Sequence, residues 1–269
     1  MQKLYQKHEL WFALGWIAFY VVAVSFADEL SRTIGIEKII TVPLLLAMCA
    51  VLLLWMKRND LFQTFGLCKG SVLPSQLLWY LPLAALISSN LWFGLRWNLP
   101  LHETLLYIGS MICVGFVEEV IFRGFLFNAM RKDGLKSAVI VSSLTFGIGH
   151  IVNLFNGSGA QLLSNLCQVG YATAIGFLFV ILFLKTGSLI PCIVTHSAVN
   201  ALSVFANESG ITAAPEIFSA IAIAVIALAY SVYLLKKLPR LLQGSLDTAE
   251  CDLRWATFQR LIQLLLIHF

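Results

Sequence analysis

Apolar runs long enough to cross a bilayer recur along this chain with only short polar joints between them. A soluble fold has no interior large enough to bury so many. The runs fall at about 9–27, 40–56, 76–95, 106–130, 137–153, 165–184, 188–206 and 214–235. In lipid every backbone N–H and C=O must pair within the protein, so runs of this length are expected to be helices. The expected fold is all-α and polytopic, with about eight transmembrane helices. Composition agrees: 12% of residues are charged, where a soluble domain would have about a quarter.

Lys and Arg sort by joint. With the N-terminus inside, the inner segments hold Lys3, Lys7, Lys57, Arg58, Lys69, Arg131, Lys132, Lys136, Lys185, Lys236, Lys237, Arg240, Arg254 and Arg260. The outer segments hold only Arg32, Lys38 and Arg96, and Arg123 lies within a run. Fourteen against three is the bias that orients a polytopic protein, so both termini are expected in the cytoplasm. A net charge of +4 spread over such joints is no nucleic-acid footprint. The six cysteines form no C-x-x-C pair, and neither disulfides nor a cysteine zinc site are expected. No Cys stands four from the end, so a lipidated protein enters only as a substrate or partner.

Residues 1–237 are expected to form the bundle, with a catalytic core at about 105–205. Residues 238–269 form a cytoplasmic tail in which Trp255, Phe258, Leu261, Ile262 and Leu265 recur at helical spacing, as for a helix lying on the inner membrane surface. The first run has a rival reading, because Ser25-Phe26-Ala27 has the form of a signal-peptidase site after a basic start. Its length favours a retained helix. Short length and the lack of eukaryotic sorting signals point to a bacterial plasma membrane.

Inside the runs a few polar residues stand out, because each charge held in lipid costs several kcal/mol. Glu118, Glu119 and Arg123 lie in the fourth run, His150 in the fifth, and His196 and Asn200 in the seventh. At a rise of about 1.5 Å per residue, Glu118 is about 20 Å from the inner boundary, His150 about 21 Å, and His196 and Asn200 about 17 and 23 Å. Three helices thus bring an acid, two imidazoles and a carboxamide to one level.

Glu119 and Arg123, four apart, share a helical face and can neutralise each other, either for catalysis or simply as an interhelical clamp. Glu118 points about 100 degrees away and is the preferred general base. His196 and Asn200 share a face and can both donate toward one point, as an oxyanion requires, or can tie two helices together. Phe146 reads as packing, and Gly147 and Gly149 as sites of close helix approach. Every aspartate lies outside the runs, and neither H-E-x-x-H nor G-x-S-x-G occurs, so aspartyl, zincin and serine-elbow chemistries are set aside.

Glu118-Glu119-Val-Ile-Phe-Arg123, Phe146-Gly-Ile-Gly-His150 and His196-Ser-Ala-Val-Asn200 resemble, in order, the E-E-x-x-x-R, F-x-x-x-H and H-x-x-x-N motifs of the CAAX protease and bacteriocin-processing family, also called Abi. The resemblance covers roughly residues 105–205. It implies an intramembrane endopeptidase in which Glu118 and His150 activate water while His196 and Asn200 hold the oxyanion, with Glu119 and Arg123 in support. The implied substrate is a CAAX-type lipidated protein or a bacteriocin or leader peptide. No cofactor is expected, with zinc held by the histidines and a glutamate as the alternative. Membrane lipid is the expected surrounding partner. The rival class is a non-catalytic membrane protein: an immunity factor, a scaffold or a proton-coupled transporter.

Overall fold

The computed structural model describes residues 1–68, 80–157, 159–209 and 211–237. The expected surface helix over 238–269 lies outside the described residues, as does the start of the third apolar run. The helices are α1 (Gln2–Lys7), α2 (Glu9–Ile34), α3 (Thr41–Arg58), α4 (Leu81–Ile87), α5 (Leu101–Met130), α6 (Leu135–Gly149), α7 (Leu162–Thr186), α8 (Ile190–Leu202) and α9 (Ala213–Lys237). Tight 3-10 turns extend α4 over Ser88–Leu91, α6 over His150–Leu154 and α8 over Ser203–Phe205. Among the described residues there is no strand, only one isolated bridge between Leu95 and Ala206. The helical polytopic class is as the apolar runs predict.

Six of these helices are long and apolar enough to cross a membrane: Glu9–Ile34, Thr41–Arg58, Leu101–Met130, Leu135–Leu154, Leu162–Thr186 and Ala213–Lys236. The other two expected spans are shorter apolar helices, Leu81–Leu91 and Ile190–Phe205. At 1.5 Å per residue the second reaches about 24 Å, short of a hydrocarbon core of about 30 Å. Its limits are local: Pro191 fixes the first turn, and the helix tightens to 3-10 geometry at Ser203. The two short helices pack against each other.

The bundle closes through small residues. A side chain on Gly115 of α5 would strike Ser197 of α8, its Cβ lying 2.7 Å from the Ser197 nitrogen. One on Gly147 of α6 would lie 2.8 Å from the nitrogen of Thr173 on α7. Contacts this close let backbones meet where lipid supplies no hydrophobic drive. Gly149 differs: a Cβ there meets nothing within 4 Å, so the close approach expected at both glycines holds only for Gly147.

One end of the bundle is locked by aromatics. Phe125 of α5 stands against Phe12, Trp55 and Phe65 with ring centroids 5.1, 5.8 and 5.0 Å away. Each such pair is worth about 0.5–1.5 kcal/mol beyond simple burial. This cluster ties α2 and α3 to α5.

Candidate active site

Helix α5 changes character just after its two acids. Leu101–Glu119 is α-helical, Val120–Phe127 is π-helical, and Asn128–Met130 is α-helical again. A π turn frees carbonyls from the ordinary ladder, and in an apolar bundle they need new donors. Ser142 donates to the Phe122 carbonyl at 2.9 Å and Asn128 to that of Gly124 at 2.8 Å. The wound-out segment is fully buried.

Glu119 and Arg123 sit at the start of this segment, both with 0% side-chain exposure. Arg123 Nη1 donates to Glu119 Oε1 at 3.0 Å, and Nη2 to the Gly176 carbonyl of α7 at 3.3 Å. The guanidinium carbon lies 4.1 Å from the centre of the Phe146 ring and 5.5 Å from that of Phe179. Stacking of this kind is worth about 2 kcal/mol when desolvated. Phe146 therefore does more than fill space: it is one face of the arginine's cage, and its ring also meets those of His150 and His196 edge-on at 5.2 and 5.6 Å.

His196 joins the two acids. Its Nδ1 lies 2.8 Å from Glu119 Oε1 and its Nε2 3.6 Å from Glu118 Oε2. A carboxylate paired with Arg123 only accepts, so Nδ1 carries the proton. In the neutral ring Nε2 is then an acceptor facing Glu118. Arg123, Glu119 and His196 thus form a chain that fixes the tautomer and orientation of the imidazole, as carboxylates do for histidines in other sites.

Glu118 makes a different set of contacts. Its side chain is 14% exposed, and Oε1 accepts from the Tyr20 hydroxyl of α2 at 2.6 Å. Tyr20 was not among the residues singled out from sequence. A tyrosine in an apolar helix is ordinary, and no spacing ties residue 20 to residue 118.

His150 terminates α6 and begins the 3-10 turn. Its Nδ1 lies 3.0 Å from the Phe146 carbonyl, an acceptor only, so that nitrogen carries the proton and Nε2 is left with its lone pair. Asn165 of α7 donates to the His150 carbonyl at 2.8 Å and holds the turn in place. The Asn200 carboxamide has no hydrogen-bond partner among the described residues.

Glu118, His150, His196 and Asn200 all line one cavity of about 560 Å³, together with Tyr20 and Phe146. That is within the usual range of a ligand site. Glu119 and Arg123 lie behind its wall. Among the described residues no three His, Cys, Asp or Glu side chains converge to hold a metal ion. His196 Nδ1 is committed to Glu119 and His150 Nδ1 to a carbonyl. Both Nε2 atoms are left as lone-pair acceptors beside Glu118 on the cavity side.

Fold and cavity together define a polytopic helical membrane protein carrying a carboxylate, imidazole and carboxamide site within its bundle. The family model for type II CAAX prenyl endopeptidases, Rce1-like, matches residues 100–202, a segment that is thus similar to that protease family. It contains all six of Glu118, Glu119, Arg123, His150, His196 and Asn200, whereas Tyr20 lies outside it. No curated protein matches the chain.

Proposed function

We propose that this protein is an intramembrane endopeptidase that hydrolyses a peptide bond with water activated by Glu118. The observation that carries the reading is the shared cavity: Glu118, His150, His196 and Asn200 come from α5, α6 with its 3-10 extension, and α8, and face one space. In the proposed reaction Glu118 takes a proton from a water held between it and the free Nε2 of His150, and the oxygen attacks the carbonyl carbon. The carbonyl oxygen becomes an oxyanion and accepts from the Asn200 amide. His196 adds a donor there only when both its ring nitrogens are protonated. In the neutral ring, its Nε2 instead faces Glu118. Glu118 then returns the proton to the leaving amine. Tyr20 holds the carboxylate in register.

The substrate class consistent with the family is a CAAX-type lipidated protein or a bacteriocin or leader peptide, in a bacterial plasma membrane. The chemistry as drawn uses no metal. Activity should therefore survive a strong chelator, and its loss with recovery on adding zinc would overturn the metal-free scheme. Glu118→Ala and His150→Ala should each abolish cleavage of membrane-protein termini, compared by mass spectrometry between cells carrying wild type and variant, while insertion is unchanged. Wild-type cleavage by either variant would remove the mechanism. Asn200→Ala should lose about a hundred- to a thousandfold in rate, the usual cost of one oxyanion donor.

The fully buried Glu119–Arg123 pair also suits the second reading, a non-catalytic membrane protein in which these charges fix helix packing. Glu118→Gln separates the two. A scaffold keeps its biological function with this variant, whereas a protease loses it.

A further inference from the structure

The two ends of the bundle differ, and the cavity belongs to one of them. At the first end, Lys132 pairs with Glu9 at 2.6 Å, joining the tip of α5 to the start of α2. The Leu189 nitrogen donates to the Gly66 carbonyl at 2.8 Å, joining the start of α8 to the turn beyond α3. Lys57, Arg58, Lys136 and Lys185 lie at helix ends on this side. At the opposite end Arg32 of α2 donates to the Asn156 carbonyl at 2.6 Å, and the Glu37 nitrogen to Glu103 at 2.9 Å.

The cavity wall runs in one direction only. On α2 it follows Tyr20 to Arg32, on α5 it follows Phe122 back to Tyr107, and on α8 it follows Thr195 to Ser203. Each of these paths leads away from the cation-rich end. Among the described residues lining the cavity, only Arg32 and Gly157 are exposed, and they adjoin each other at the far end. Arg32 and Gly157 therefore mark the most exposed part of the cavity wall.

We infer that the active-site cavity is entered from the extracytoplasmic face, through a mouth between the C-terminal end of α2 and the turn that follows α6. The exposed pair lies at the end away from the cation-rich one, and the cation bias assigns that end to the outside. The inference rests on the proteolytic reading for its substrate: a peptide segment presented outside the cytoplasmic membrane, such as the leader or terminus of an exported polypeptide. A cytosolic terminus, such as that of a CAAX-type protein, would have to cross most of the bilayer to reach Glu118, so of the two proposed substrates this route retains the leader peptide.

The test uses the full chain with its native cysteines replaced and one cysteine restored, at Val152→Cys in the cavity wall or at Lys57→Cys at the cation-rich end. A charged, membrane-impermeant methanethiosulfonate is applied to right-side-out and to inverted vesicles. Val152→Cys should be modified only in right-side-out vesicles and Lys57→Cys only in inverted ones. Modification of Val152→Cys from the inside, or from neither side, overturns the inference, the latter in favour of lateral entry from lipid. In a second arm, wild-type vesicles of both orientations receive a pool of impermeant fluorogenic peptides. Cleavage by right-side-out vesicles is expected, and cleavage by inverted vesicles alone also overturns the inference. Cleavage by neither, with Val152→Cys still modified from outside, leaves the entry route standing and removes the proteolytic reading instead.

Discussion

Arg123 shows how a single residue serves two ends in this bundle. It is fully buried, pairs with Glu119, spans to the Gly176 carbonyl and lies between two phenylalanine rings. Arg123→Ala leaves Glu119 without its cation, and breaking a buried pair on one side typically costs about 3–5 kcal/mol. The expected result is a lower unfolding temperature in detergent together with loss of activity. A variant as stable as wild type would mean that the pair contributes nothing to the fold. Tyr20→Phe is the complementary change. It keeps the ring and removes one hydrogen bond to a carboxylate, worth about 1.5–3 kcal/mol. If Tyr20 orients the base, turnover should fall about tenfold to a hundredfold at a temperature where the variant is still folded, with its unfolding temperature lowered by only a few degrees. An unaltered rate would leave Tyr20 a packing residue. The motif acids, histidines and Asn200 were legible in sequence because a polar group in an apolar run is costly enough to need a reason. Tyr20 was not, since an amphipathic ring carries no such signal, and its partner lies 98 residues away.

At the scale of the helices, the apolar runs match six helices long enough to span and two shorter ones among the described residues, but do not show their geometry. The π turn over Val120–Phe127 leaves the apolar pattern unchanged, because every one of its residues is buried and the helical period carries no contrast there. The shortness of Ile190–Phe205 was hidden for a similar reason: apolar residues continue to its end, while the backbone tightens at Ser203. Glycines show the same limit. Gly147 and Gly149 look alike as letters, yet one faces the Thr173 backbone and the other faces open space. Gly147→Val should force α6 from α7 and destabilise the bundle by about 1–3 kcal/mol, the usual cost of overpacking. Gly149→Ala should leave the unfolding temperature at or above that of wild type, because removing a helical glycine is mildly favourable. Equal effects at both positions would contradict the packing described.

For the molecule as a whole, the matched family segment supplies the acid, the imidazoles and the carboxamide, but α2 supplies the hydroxyl on Glu118. The same helix contributes Phe12 to the aromatic lock on α5 and Arg32 to the cavity lining. Sequence alone leaves two fates for this first run, a retained helix or a leader cut after Ala27. The packing makes them mechanically different. Cleavage after Ala27 would remove Phe12 and Tyr20, expose the ring of Phe125 and leave Glu118 Oε1 without its donor. The functional protein should therefore keep its first 27 residues. An affinity tag placed before Met1 should remain on the active species purified from membranes, and terminal sequencing should find no chain starting at Asp28. An active species beginning at Asp28 would show that α2 is dispensable, and with it the assignment of Tyr20 to the site.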